Sequence, residues 1–171
     1  MKGYVQVYTG DGKGKTTAAL GLALRAAGAG LKVLIAQFVK GMKYGEHVSL
    51  AKLSDAIAVR QYGRGCFIKT DPEEADVKAA QEGLKEVKRL MSSGRYQVII
   101  LDEANIATYL GLFSVEDLLD VIRAKPEEVE LVITGRRAAS EVIAEADLVT
   151  DMKEVKHYFQ KGILARDGIE K

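Results

Sequence analysis

Tryptophan is absent, cysteine occurs once and proline twice. A lone cysteine, Cys66, rules out an intrachain disulfide, and a reducing, cytoplasmic setting is the expectation that follows. Pro72 and Pro126 are the only prolines, and neither lies in a linker-like tract. With no internal repeat and no low-complexity stretch, the 171 residues are expected to form a single domain, 1–171. No apolar run is long enough to cross a bilayer, and Met1-Lys2-Gly3-Tyr4-Val5 runs straight into a strand-like segment, leaving no room for a signal peptide. Charge of either sign is not in excess: 25 Lys and Arg stand against 24 Asp and Glu, a net +1, so no basic field gathers nucleic acid. Histidine is scarce, and His47 and His157 have no partner at metal-ligand spacing. No Ser-His-Asp or Cys-His constellation is present.

What remains is an ordinary folding composition, 47% hydrophobic and 29% charged, arranged as strands alternating with helices. Tyr4 to Tyr8 reads as a strand, Thr16 to Ala29 as an Ala- and Leu-rich helix, and Val33 to Val39 as a continuously apolar strand of the kind parallel sheets bury. Ala56 to Tyr62 reads as a short third strand. Asp71, Pro72 and Glu74 form a helix start, with Asp71 as the expected N-cap. Val77, Ala80, Leu84, Val87 and Met91 then recur at helical spacing, up to a stop at Gly94. Val98 to Leu101 is the most apolar strand, and Ser114 is placed to cap a shorter helix. Leu131 to Thr134, Ala138 to Ala144 and Leu148 to Thr150 complete the pattern as strand, helix and strand. The alternation predicts an α/β fold, a P-loop NTPase-like three-layer sandwich whose mainly parallel sheet carries helices on both faces. Ligands in such folds bind beyond the C-terminal ends of the strands.

The turn after the first strand is Thr9-Gly10-Asp11-Gly12-Lys13-Gly14-Lys15-Thr16-Thr17. It fits the phosphate-loop pattern except that Thr9 replaces the opening glycine. Three glycines let the backbone turn its N–H groups inward, and the next helix adds its positive end. Gly10, Asp11, Gly12, Lys13, Gly14, Lys15, Thr16 and Thr17 are therefore the candidate triphosphate cradle, with Lys15 reaching the outer phosphates and the Thr16 hydroxyl available to Mg²⁺. A flexible Gly-rich turn is the plainer alternative, but a strand before and a helix after argue against it. Val98-Ile99-Ile100-Leu101 ends in two carboxylates, Asp102 and Glu103. If this strand lies beside the first, as expected for the class, those acids reach the nucleotide's metal, which keeps several waters and needs few protein ligands. Lys40, after the second strand, is a further phosphate candidate, although a surface lysine is the commoner case; Arg136 or Arg137, after the fifth, is another, with a solvated pair nearly as good a reading. Arg25, well inside the first helix, reads as a surface residue from position alone.

Six blocks go further than the loop by itself. Gly10 to Thr17, Gln37-Phe38-Val39-Lys40-Gly41, Leu101-Asp102-Glu103, Val132 to Arg136, Ala146 to Met152 with Val155-Lys156-His157, and the tail from Lys161 to Glu170 together resemble, in order and spacing, the P-loop family of ATP:corrinoid adenosyltransferases. The resemblance implies a cytoplasmic homodimer that uses ATP as co-substrate with Mg²⁺ or Mn²⁺, takes a reduced corrinoid as substrate and is served by a corrinoid-reducing flavoprotein. It implies that cobalt(I) attacks the ribose C5′ carbon and triphosphate leaves. It makes Lys15 and Glu103 catalytic, assigns Thr16 and Glu103 to the metal, beside Asp102 from the strand-end reading, and brings Arg25 close to the nucleotide. Displacement of the cobalt's lower axial ligand falls, in the family, to the loop after the third strand, here Gly63 to Thr70, where Phe67 is the candidate wedge and Ile68 its helper. Some members carry a Trp there and an N-terminal extension over the corrinoid; this sequence has no Trp, no such extension is expected ahead of its first strand, and it has His157-Tyr158-Phe159 where Pro-Tyr is the family pattern. From the residues alone, two other readings share the phosphate loop: a small kinase or NTPase with Asp102 as base, and a nucleotide-gated binding module without chemistry.

Overall fold

The computed structural model describes residues 2–65 and 71–170. Its frame is a set of four- and five-residue strands, of which the central β2, β4 and β5 are apolar nearly throughout because both their faces are covered. In chain order the elements are β1 (Val5–Thr9), α1 (Lys15–Gly28), β2 (Val33–Gln37), α2 (Gly45–Ala51), β3 (Ile57–Gln61), α3 (Glu74–Met91), β4 (Val98–Asp102), α4 (Ala104–Tyr109), α5 (Val115–Arg123), β5 (Glu130–Thr134), α6 (Ser140–Glu145) and β6 (Leu148–Asp151), followed by a single 3₁₀ turn at Tyr158–Lys161. The strands form one sheet in the order β3-β2-β4-β5-β1-β6, and every pairing is parallel. The three-layer, P-loop NTPase-like fold read from the sequence is the fold observed.

Alternation along each strand divides the core in two. Leu34, Ile99, Leu101, Leu131 and Ile133 point to the side covered by α3 to α6, where they pack with Leu84, Val87, Met91, Leu118 and Val142. Val33, Ile35, Val98, Ile100 and Val132 point to the other side, against Ala19, Ala23 and Ala26 of α1 and Leu50 of α2. Small residues on the buried stripe of α1 let that helix lie close across the sheet.

Three sequence expectations need correction. β4 does not lie beside β1, because β5 is inserted between them. Its acids still reach the phosphate loop, since α1 packs across β4 and β5 as well as β1. The N-cap of α3 is Glu73, two residues beyond Asp71; Glu73 is extended at ψ 155, and its N–H donates to the Asp76 carboxylate at 3.1 Å. Glu73 and Asp76 form a reciprocal capping box, which sets the start two residues past Asp71. Two short helices, α2 and α4, arise where loops were expected. Ser114 caps α5 as expected, its hydroxyl accepting from the Asp117 N–H at 3.0 Å.

Candidate active site

The strand ends supply the site. Gln37, Asp102 and Thr134 terminate the neighbouring strands β2, β4 and β5, and Gln37 is in register with Asp102. All three are buried and polar at the edge of an apolar sheet. Just beyond them lie the only non-glycine residues with positive φ among the described residues: Val39 (66°), Glu103 (62°) and Arg137 (60°). Such backbone costs free energy and gathers at functional sites. All three follow the C-terminal ends of their strands, on the rim where ligands of this architecture bind.

Asp102 is the hub. Its Oδ1 accepts from the Thr16 hydroxyl at 2.9 Å and the Thr134 hydroxyl at 2.8 Å. Its Oδ2 accepts from the Lys40 ammonium at 2.9 Å and the Gln37 amide at 3.3 Å. A carboxylate has about four lone-pair sites, and here all are engaged. Asp102 is 1% exposed and Lys40 9%, so this is a buried ion pair. Lys40 is thus neither a surface lysine nor free for phosphate. Burial by itself would lower its pKa; the charge and hydrogen bond of Asp102 outweigh that, and the pKa is raised.

Glu103 is different. Its N–H donates to Thr134 Oγ1 at 3.0 Å, while its half-buried carboxylate takes part in no hydrogen bond or ion pair among the described residues. Burial, and then the neighbouring charge of Asp102, push its pKa up, against the pull of Lys40, Lys15 and Arg136. An open carboxylate and a Thr hydroxyl bonded to the adjacent Asp102 are hard oxygen donors, which suit a small divalent cation that completes its shell with water and phosphate oxygens. The residues present therefore fit Mg²⁺ at Thr16 and Glu103, with Asp102 held behind them. No cluster of three or more His, Cys, Asp or Glu occurs among the described residues, so a metal here would take most of its ligands from substrate and solvent.

The phosphate loop is braced from beneath. Gly12 N–H donates to the Met152 carbonyl at 2.6 Å, and Met152 N–H to the Thr9 carbonyl at 2.9 Å. Gly10 and Gly14 hold φ of 92° and 124°, and a side chain on Gly10 would collide with Asp151 and Met152. Lys15 folds back into the loop, its ammonium donating to the carbonyls of Gly10 (2.6 Å) and Gly12 (2.7 Å). Burial, and then the positive charge of Arg136, lower its pKa. Anionic oxygens are better acceptors for that ammonium than neutral carbonyls, because charge-assisted hydrogen bonds are the stronger kind.

Not every candidate converges. Lys15, Thr16, Asp102, Glu103 and Arg136 form one electrostatic cluster. Arg136 is coupled to both Lys15 and Glu103, whereas Arg137 lies over the Tyr109 ring at 5.3 Å, so the structure separates the arginine pair that spacing left open. Asp11 and Thr17 are exposed beside the loop. Lys13 turns to the tail, where its ammonium meets Glu170 at 2.6 Å and Tyr158 at 3.1 Å. Arg25 sits exposed in the last turn of α1, about 15 Å along the helix axis from Lys15 by the rise per residue. Phe67, Cys66 and Ile68 lie outside the described residues. The loop leading to them is anchored: Gly41 N–H donates to the Gly65 carbonyl at 2.8 Å, and a Cβ on Gly63 would come 2.7 Å from the Lys40 backbone. Residue patterns missed Gln37, Thr134 and His47 as network members. The signal that existed for two of them was a polar residue closing an otherwise apolar strand.

A family model described as ATP:corrinoid adenosyltransferase BtuR/CobO/CobP matches residues 1–170. The chain is similar to a corrinoid adenosyltransferase of Pseudomonas aeruginosa, 35% identical over 99% of this chain and 84% of the relative. It is likewise similar to one of Sinorhizobium sp, 36% identical over 99% of this chain and 80% of the relative. Against one of Escherichia coli K12 it is 31% identical over 99% of this chain and 86% of the relative.

Proposed function

The chain belongs to the ATP:corrinoid adenosyltransferase family, and from that membership we propose how its residues perform the transfer of the adenosyl group of ATP to a cobalt corrinoid. The Co(I) lone pair forms the bond to C5′, the C5′–O bond breaks, and the triphosphate departs with that electron pair. The nucleophile is part of the substrate, so the protein's tasks are alignment and stabilisation of the charge growing on the leaving group. The loop N–H groups, Lys15 and Arg136 carry the second task. Thr16 and Glu103 hold the divalent metal, Mg²⁺ or Mn²⁺, which supplies further positive charge to the triphosphate. Asp102 is a positioning residue that holds Thr16 and Lys40 in place.

The observation that carries this reading over phosphoryl transfer is the saturation of Asp102. A kinase or NTPase needs a base for the attacking hydroxyl or water, and Asp102, the sequence candidate for it, already accepts four hydrogen bonds inside an ion pair. Phe67 is assigned to the corrinoid side, supported by the anchoring of its loop at Gly41–Gly65 beside Lys40. Arg25, the homodimer, the flavoprotein reductase and the cytoplasmic setting rest on the family resemblance.

Anaerobic incubation with ATP, Mg²⁺ and chemically reduced cobalamin tests the reaction. Formation of a light-sensitive alkylcobalt spectrum with stoichiometric triphosphate is expected. ADP or orthophosphate without alkylated cobalt would return the chain to ordinary phosphate-loop chemistry. Phe67→Ala is expected to lose turnover while keeping ATP affinity.

A further inference from the structure

We propose that His47 is a positioning residue of the nucleotide site, acting through Gln37 to hold Asp102. The proposal rests on the reading that Asp102 organises the ATP site. His47 lies on α2, outside the strand-end cluster, and its two ring nitrogens have distinct partners. The Tyr44 backbone N–H points at Nδ1 at 2.9 Å. The Tyr44 carbonyl oxygen lies farther from the same nitrogen, at 3.3 Å, so Nδ1 accepts from the nearer N–H and the ring proton sits on Nε2. Nε2 lies 2.7 Å from Gln37 Oε1 and donates to it.

That donation decides which way round the buried Gln37 amide sits. Oε1 faces two donors, His47 Nε2–H and the Gln61 amide at 3.4 Å. Its nitrogen then faces Asp102 Oδ2 at 3.3 Å. The reversed amide would set an NH₂ against both donors and an oxygen against a carboxylate, so only one orientation is compatible with the surroundings. The chain of hydrogen bonds runs Tyr44 N–H to His47, His47 to Gln37, Gln37 to Asp102, with Asp102 receiving Thr16 on its other oxygen. Each link is a donor facing an acceptor. Without the His47 link, Gln61 alone orients the amide, at a longer distance and with its own nitrogen shared with the Met42 carbonyl at 3.0 Å. The side chain that ligates or orients is commonly governed by such an outer partner.

Because His47 also caps α2, the test must separate its two nitrogens. His47→Asn retains an acceptor near the Nδ1 position but offers no donor to Gln37. His47→Gln places an amide nitrogen near Nε2 but gives up the cap. ATP affinity is measured by titration calorimetry with Mg²⁺ and no corrinoid, alongside ¹⁵N NMR of the His47 ring in the free protein. The expected result is an Nε2-protonated tautomer, His47→Asn and His47→Ala weakened about tenfold, and His47→Gln within about twofold of wild type. An Nδ1-protonated ring overturns the proposal. So does the opposite order, with His47→Asn intact and His47→Gln impaired, which makes the residue a helix cap only. The readout is binding, so failure of the transferase assignment would show separately, as wild-type protein that binds ATP and forms no adenosylcorrinoid.

Discussion

Two adjacent acids, Asp102 and Glu103, have opposite energetic signs. Asp102 is compensated by Lys40, Thr16, Thr134 and Gln37. Removing one partner of a buried pair strands the other charge, at a typical cost of about 3–5 kcal/mol. Asp102→Asn should therefore lower urea stability on that scale, and adding Lys40→Met should recover most of the loss; additive losses in the double variant would mean the two side chains are not coupled. Glu103 has no hydrogen bond or ion pair among the described residues, and the charges of Lys40, Lys15 and Arg136 only partly offset its burial. Its pKa is raised in the fold from the ordinary 4.5, so below that value both folded and unfolded chains hold the proton and nothing is lost. As pH rises, the unfolded chain ionises first, and stability falls until the folded pKa is passed. Glu103→Gln should thus be more stable than wild type near pH 7.5 and no more stable near pH 4, while losing adenosyl transfer. Each ~1 kcal/mol corresponds to a shift of about 2–4 °C in the melting midpoint at this size. Equal melting temperatures at both pH values would mean that Glu103 is not strained by its burial.

At the level of elements, the loop after β3 is held by glycine contacts that admit no side chain. Gly83 on α3 presents bare backbone to the Tyr62 ring, and a Cβ there would run into it. Tyr62 in turn stacks near Phe38 with centroids 5.5 Å apart and donates to Glu86 at 3.1 Å. Burial, and then the charge of Glu86, raise its pKa, so it remains a neutral donor. Gly83→Ala forces the ring aside at a cost of about 1–3 kcal/mol, the usual range for overpacking. Because Tyr62 opens the loop that leads through Gly63 and Gly65 toward Phe67, corrinoid KM should rise in this variant while ATP affinity stays near wild type. A loss of ATP affinity equal to the loss for corrinoid would deny the loop a separate role. A helix start was legible at Ser114, where one capping residue precedes the apolar period. It failed at Asp71, because the capping box closes two residues later between Glu73 and Asp76, and at α2 and α4, which are too short to show a period and begin at a Tyr and a left-handed Glu.

For the whole molecule, the site exists only because four separate stretches of chain meet on one rim: the loop after β1 and the exits of β2, β4 and β5. Ligand binding should stabilise the entire sheet. At a concentration about 100 times Kd, ATP with Mg²⁺ adds roughly 2.7 kcal/mol, a thermal shift of several degrees measurable by differential scanning fluorimetry. Lys15→Ala should abolish that shift while changing the unliganded melting point little, since Lys15 bonds only to loop carbonyls. A full shift in this variant would mean that the triphosphate is held elsewhere.

Local chemistry by itself determined much of this protein. Apolar strand runs between helical periods dictated a covered parallel sheet. Three glycines with Lys15 and Thr16 dictated a tight Gly-rich turn into α1, and an apolar run ending in Asp102-Glu103 dictated acids at a strand end. These are properties of contiguous residues, governed by backbone geometry and side-chain period. Tertiary structure alone decided that β5 separates β1 from β4, that Lys40 is an ion-pair partner of Asp102, that Arg136 and not Arg137 joins the cluster, and that Gln37 and Thr134 bond to Asp102 while His47 bonds to Gln37. Strand order and side-chain pairing depend on which segments pack side by side across the sheet, and residues such as Lys40 and Asp102, or His47 and Gln37, acquire their donors, acceptors and charges only from neighbours that the fold brings to them.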